Sequence, residues 1–530
     1  MGKIIFSTLA FSLIIFFWSL VTPIFEFPDE QAHIASINYL FHQGEMPQDK
    51  DRRLSKELKT TIVTTDLSYE ISEAEKYLGT FRDQSGNNKL TYHPEYRPDY
   101  TNSLYGKFEQ DIVMLNVPAN KTNYVGEEAA RYPRLYYDYL TIWYRLVDSG
   151  DIFARLSVVR IANVGLALLT VFVVFKLGLL LFAKKSYALT LSLLVMLQPM
   201  YSFLSAGVNS DNLHNLLFAL VIFCGVKILK NGLSTKILLG ISLVIVLDIF
   251  TKPQGYVAIP IILLAVLLHI IKTGKWKLLW SLATLVIISS LVILSPRNPF
   301  GSWINPGNLH NANFIEFARF SLNKLVAQNI VWYWGVFKWL GVVLPPIYWQ
   351  VANRVVLVGA FGLLIYIWRV ISKKKLSTSP YITLFLLLTV IVYTSSIYYF
   401  DWQYTKSVGY SIGVQARYFF PTISAQMALI MIGILSLGWN ANIRIWLRRG
   451  LVIFIVWIQI GGMWRLLSSY YDLTSISSFI TQASQYKPAF AKGDWWYLWG
   501  GLYIASILYL TWIGMVGVKD KKSFLDRRKV

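Results

Sequence analysis

Apolar stretches of about 17 to 25 residues, the length a helix needs to cross a hydrocarbon layer, recur along the whole chain. In lipid such a stretch must satisfy its own backbone hydrogen bonds, so each is read as a helix. They cover 4 to 24, 156 to 182, 186 to 205, 211 to 229, 236 to 251, 256 to 272, 278 to 295, 353 to 370, 379 to 400, 417 to 437, 450 to 467 and 496 to 517, twelve in all. The expected fold is an all-α polytopic membrane protein in which 1 to 530 form one integral-membrane domain. Composition agrees. With 55% hydrophobic and 15% charged residues, the chain is too apolar for an ordinary soluble enzyme. Its 19 Trp, 32 Tyr and 31 Phe suit a protein with two water-lipid interfaces to anchor.

A net charge of +21 invites comparison with nucleic-acid binders, but its distribution excludes that class. Residues 26 to 130 carry 18 acidic and 11 basic side chains, a net of −7, so the excess lies elsewhere. It sits in short clusters between apolar runs: Lys184 and Lys185, Lys272 with Lys275 and Lys277, Lys373 to Lys375, and the tail from Lys519. Basic loops of this kind mark the cytoplasmic side and put both termini there, in a bacterial-type cytoplasmic membrane. The first run follows Lys3 and ends without a small-residue cleavage pattern, so it reads as a retained anchor. The single cysteine, Cys224, leaves no internal disulfide or cysteine-based metal cluster.

This topology puts a long first loop, 26 to 152, outside the cytoplasm, and a second large outer segment at 296 to 352. Within the second, Val331 to Trp349 is strongly aromatic and ends at Pro345-Pro346. If it crossed the membrane, every later basic cluster would change sides, so it is read as an interfacial or re-entrant element.

The strongest chemical signal follows the first run immediately: Pro28-Asp29-Glu30-Gln31-Ala32-His33. A helix starting near Asp29 sets Asp29 and His33 one turn apart on one face, a carboxylate and an imidazole at the lipid-water boundary. The plainer alternative is that Asp29 caps the helix, Glu30 faces solvent and His33 is merely hydrogen-bonded. Asp29, Glu30 and His33 also offer ligands to a divalent cation, magnesium or manganese rather than zinc, since neither HExxH nor a cysteine pair is present. Asn209, Asp211 and His214 interrupt or begin apolar runs, and Asp248 and Lys252 lie at the outer end of another. Ionisable groups so placed are functional candidates, with loop or capping chemistry as the alternative. Arg417 opens a run with Gln415 and Tyr418 beside it. It has the planar donor fork that suits phosphate, or else it snorkels as an anchor. Arg131 and Arg134 have the same two readings.

The ordered pieces PDEQAH (28 to 33), RYPRLYY (131 to 137), QPMYSFLSAGVNSDNLHN (198 to 215), TKPQGY (251 to 256), YWGVFKWLG (333 to 341) and GVQARYFFP (413 to 421) resemble the bacterial DUF2142 family of multi-spanning proteins. That family in turn resembles the GT-C superfamily of lipid-dependent glycosyltransferases. The resemblance implies a GT-C-like fold and transfer of a sugar from a polyprenyl-phosphate donor to an extracytoplasmic glycan, lipid or protein acceptor. It implies a catalytic or metal-associated role for Asp29, with Glu30 and His33 in the same motif. GVQARYFFP corresponds to the family's Gly-Gln-Gly-Arg-Tyr pattern, with Ala416 where glycine is common.

Taken together, these readings assign proton removal to Asp29, support of Asp29 to His33, and phosphate neutralisation to Arg417, Lys252 and Arg134 or Arg131. The prenyl tail would lie in an apolar groove among membrane lipids. Two other classes fit the same topology. A secondary transporter or flippase predicts pseudo-symmetric halves and a midplane site. A noncatalytic envelope-assembly protein predicts that Asp29 is dispensable.

Overall fold

The computed structural model describes residues 2–47, 54–65, 107–125, 132–182, 184–276, 312–337, 341–372, 379–411 and 413–517. Helices dominate. The described strands are two antiparallel pairs of two residues each, Leu54–Ser55 with Tyr124–Val125 and Val336–Phe337 with Val342–Val343.

Eleven of the twelve expected stretches are helical, and the twelfth, 278 to 295, lies outside the described residues. Among the described residues, eight helices are long and apolar enough to cross a membrane: Ile152–Phe182, Asp211–Asn231, Pro253–Thr273, Pro346–Ile371, Pro380–Val408, Ala416–Ser436, Ala441–Tyr470 and Trp495–Val516. The stretch 186 to 205 is two helices, Lys185–Met196 and Pro199–Ala206, which meet at 69° and together make a ninth. Pro199 has no N–H to continue the first helix. Gln198 fills the break, its Oε1 accepting from the Tyr201 N–H at 2.5 Å and its amide donating to the Tyr333 carbonyl.

The first helix, Gly2–Val21, has 20 residues, about 30 Å at 1.5 Å per residue, which matches the hydrocarbon core. One other stretch falls short of a full span. Thr235–Ile249 has 15 residues, or about 23 Å at 1.5 Å per residue, against a hydrocarbon core of about 30 Å. It stops where Asp248 turns the chain, the Asp248 carbonyl accepting from the N–H groups of Thr251 (3.0 Å) and Lys252 (2.9 Å). Within Val331 to Trp349 no crossing helix is seen among the described residues before Pro346, where Pro346–Ile371 begins. They contain the paired strands Val336–Phe337 and Val342–Val343, and the Phe337 ring packs 5.6 Å from Trp18 and 5.1 Å from Phe203.

Small residues set one close helix crossing. Pro346–Ile371 meets Ile423–Ser436 at Gly359, Gly362 and Gly433, where a Cβ on Gly362 or Gly433 would strike the opposite backbone. The first loop is tied down by charge: buried Glu57 pairs with Arg155 of Ile152–Phe182, and Glu109 pairs with Lys492 just before the last helix. Helix Leu135–Arg145 lies across Glu30–Gln43 and buries Tyr136, Tyr137, Leu140 and Tyr144. The end of the first helix, the start of Glu30–Gln43, and the corners at 207–211, 252–256 and 413–422 thereby converge on one place.

Candidate active site

Asp29 stands at that convergence. It precedes Glu30–Gln43 in the left-handed region, φ 61° and ψ 15°, and its side chain makes no capping hydrogen bond. A non-glycine residue is uncommon there, although aspartate tolerates it better than most. The carboxylate is turned away from its own helix toward Arg417, whose Nη2 donates to Oδ2 at 2.7 Å. Arg417 is buried, while 43% of the Asp29 side chain remains open. Burial pushes the Asp29 carboxyl up, but the Arg417 charge and hydrogen bond outweigh it and hold the group below the usual aspartate value.

A second ion pair lies beside the first. Asp211, at the start of Asp211–Asn231, pairs with Lys252, and both are buried. Asn209 connects the two pairs: its amide donates to the Pro28 carbonyl at 3.2 Å and its Oδ1 accepts from the Asp211 N–H at 2.9 Å. Aromatic faces line the cations. The Arg417 Cζ lies 5.4 Å and the Lys252 Nζ 5.6 Å from the Tyr418 ring, and Lys252 is 5.2 Å from the Tyr132 ring.

His33 is stacked between Tyr132 and Tyr137, with ring centroids at 5.7 and 6.0 Å. Its Nδ1 lies 2.9 Å from the Tyr137 hydroxyl, and its buried Nε2 has no hydrogen-bond partner among the described residues. Burial pulls its pKa down from 6.5 to about 4, with Asp29 and Asp211 opposing and Lys252 and Arg417 assisting. The ring is therefore neutral at pH 7. Burial also pushes the Tyr132 hydroxyl up to about 12, so it is a donor rather than a base.

Asp29, His33, Asn209, Asp211, Lys252, Arg417 and Tyr418 thus come together from separate parts of the sequence. Other candidates land differently. Glu30, expected at the reacting centre or in solvent, is fully buried. Its carboxylate accepts from Arg160 Nε (2.9 Å) and Nη2 (2.5 Å), from the Phe25 N–H (3.0 Å) and from the Val208 N–H (3.2 Å). No lone pair is left for a proton or a metal. The ligand set Asp29, Glu30 and His33 therefore does not converge, and among the described residues no three His, Cys, Asp or Glu are placed to hold a metal ion. Arg134 turns to Asp138, at 2.8 and 3.0 Å, on an exposed face. Arg131 lies outside the described residues. Gln415 contributes its carbonyl, which accepts from the Tyr418 N–H at 3.0 Å. His214, deeper in its helix, is held 2.6 Å from Asp248 and 2.9 Å from the Tyr393 hydroxyl.

Sequence reasoning missed Arg160. The signal was available: an arginine inside the predominantly apolar, 31-residue helix Ile152–Phe182 is costly unless partnered.

A search of the curated proteins finds no match. Among solved structures, the chain is similar to crystal structures of ArnT from Cupriavidus metallidurans. The form bound to undecaprenyl phosphate is 14% identical, with 96% of this chain and 77% of that chain covered and a TM-score of 0.40. The apo form is 15% identical, with 96% and 76% covered and the same score. The family model "Predicted membrane protein (DUF2142)" matches residues 11–425. That match takes in every part of the Asp29 site, and the chain belongs to the DUF2142 family of multi-pass membrane proteins.

Proposed function

We propose that the protein transfers a sugar from a polyprenyl-phosphate donor to a hydroxyl acceptor on the extracytoplasmic side of the membrane. One observation carries this reading. Buried Arg417 spends Nη2 on Asp29, while its Nε and Nη1 have no partner among the described residues. Buried donors are rarely left unused, and unspent guanidinium N–H groups beside a lysine suit a phosphate. The family resemblance points to the same chemistry.

In this reading Arg417 and Lys252 receive the donor phosphate over the Tyr418 ring. The acceptor hydroxyl gives its proton to the open face of Asp29, its oxygen bonds to the anomeric carbon, and the carbon–phosphate-oxygen bond breaks. The electron pair leaves on the prenyl phosphate, whose negative charge rises by one and is offset by the two cations. Phosphate binding also competes for Arg417. As the guanidinium turns to the donor, Asp29 loses the partner that depresses its proton affinity and becomes a stronger base. His33, neutral and stacked, orients the acceptor or Asp29.

An apolar groove supports the lipid part of the donor. A cavity of about 380 Å³, lined by Leu325, Leu363, Val390, Phe419 and Leu429 among others, opens between Pro346–Ile371, Pro380–Val408 and Ile423–Ser436. Leu325 and Thr394 also line a neighbouring cavity of about 460 Å³, so the two run together. Phe419 lies two residues from Arg417, which suits a prenyl tail leading away from the phosphate.

The test is transfer by purified protein supplied with a polyprenyl-phosphate sugar and a hydroxyl acceptor. Asp29→Asn is expected to lower kcat by about 10²- to 10⁴-fold in a folded protein. Arg417→Lys, which keeps charge but loses the fork, is expected to raise the donor KM. Equal turnover in Asp29→Asn, or movement of labelled lipid across proteoliposomes with no covalent product, would overturn the assignment.

A further inference from the structure

Arg160 and Glu30 form a fully saturated pair, and what they saturate is specific. All five guanidinium N–H groups of Arg160 are spent. Nε and one Nη2 hydrogen go to Glu30, the Nη1 hydrogens go to the carbonyls of Ser19 and Thr22 (both 3.0 Å), and the second Nη2 hydrogen goes to the Pro23 carbonyl (2.8 Å). These carbonyls are at the unsatisfied end of the first helix. Through the Phe25 and Val208 N–H groups, Glu30 extends the same knot to two loops.

Those loops carry the two site carboxylates. One, 22 to 29, contains left-handed Phe25 (φ 60°) and left-handed Asp29 (φ 61°) around Pro28. Such a backbone persists only where its surroundings over-determine it. The other, 207 to 211, leads into Asp211 and is pressed close: a Cβ on Gly207 would strike the Phe27 ring. The Arg160 Cζ also lies 4.6 Å from that ring. Asn209, one residue beyond Val208, closes the loop by holding the Pro28 carbonyl.

We propose that Arg160 and Glu30 are positioning residues that fix the 22–29 loop against the 207–211 loop and thereby present Asp29 to Arg417. This rests on the functional reading above, and it adds a part that touches neither donor nor acceptor. Every partner of Glu30 is an N–H donor. An amide at this position would set its own NH₂ against another donor, so Glu30→Gln removes the knot without changing side-chain size. Glu30→Asp keeps the charge but is too short to reach Arg160 and both backbone amides together.

The proposal has a readout independent of sugar transfer. The native chain has only Cys224, so in a Cys224→Ser background Asp29→Cys and Arg417→Cys can be joined by a short bifunctional thiol reagent. Efficient cross-linking is expected with Glu30 intact, and at least about a 10-fold slower reaction with Glu30→Gln or Glu30→Asp. In the active protein each Glu30 variant is expected to lower kcat by about 10- to 100-fold while donor KM moves less than about 3-fold, the pattern of misplacement rather than lost binding. Arg160→Lys, with three donors for five acceptors, is expected to fail as a conservative rescue. Unchanged cross-linking and kcat in folded Glu30→Asp would overturn the proposal. If the wild-type chain transfers no sugar, the functional reading fails, while the cross-linking still decides whether this pair positions Asp29.

Discussion

Two arginines in one site show why donor accounting separates support from chemistry. Arg160 has five N–H groups and five acceptors, whereas Arg417, also buried, keeps Nε and Nη1 unpaired among the described residues. The first is complete as a structural part; the second is the one to which the proposed function gives the donor phosphate. His33 gives this scale its pH signature. Above pH 6.5 neither the folded nor the unfolded chain protonates it. Below that, the unfolded chain takes up a proton that the buried ring refuses until about pH 4. Stability contributed by neutral His33 is therefore full above pH 6.5 and falls by about 1.4 kcal/mol per pH unit below it, roughly 3 kcal/mol in all. Asp29 titrates in a separate window. Its depressed pKa makes the Arg417 pair stabilising above pH 3.8 and weakens it only as pH falls below that value. Thermal midpoints in detergent between pH 7 and pH 4 are expected to fall in the wild type and to fall much less in His33→Gln. Equal slopes would show that the folded chain takes up a proton on His33 as readily as the unfolded chain does.

At the scale of elements, close helix approach is bought by missing side chains, and the cost of restoring them depends on what stands opposite. Gly362 faces the Gly433 backbone, while Gly240 on Thr235–Ile249 has nothing within 4 Å of an added Cβ. Gly362→Val is therefore expected to force Pro346–Ile371 away from Ile423–Ser436 and to cost about 1–3 kcal/mol or more. It should also disturb the apolar groove, which these helices line. Gly240→Ala relieves only the helix propensity of glycine and is expected to stabilise by up to about 1 kcal/mol. Opposite shifts in thermal midpoint check the pair, and a neutral Gly362→Val would show that the crossing is loose enough to absorb a side chain.

For the whole molecule, helical stretches were legible because a chain in lipid has few other ways to satisfy its backbone. Their breaks were less so: hydropathy runs smoothly through 186 to 205, and only Gln198-Pro199 betrays the bend. Asp29, Asp211, Lys252 and Arg417 stood out because each is a charge at the edge of an apolar run. Their pairing was hidden, since Arg417 and Asp29 are 388 residues apart and nothing local records which cation meets which carboxylate. Arg160 was hidden more deeply, because three of its partners are backbone carbonyls that no side-chain pattern announces. Sidedness is the remaining expectation that local chemistry cannot carry. It rests on the basic clusters between runs, from Lys184 to Arg449, which should hold their loops in the cytoplasm and leave position 29 facing outward. With 43% of its side chain open, Asp29 is accessible enough to report this directly. Asp29→Cys in the Cys224→Ser background is expected to react with a membrane-impermeant maleimide added outside intact cells or spheroplasts, whereas Lys184→Cys should react only after permeabilisation. The reverse pattern would put the site on the cytoplasmic face, where a sugar nucleotide rather than a polyprenyl-phosphate sugar would be the natural donor.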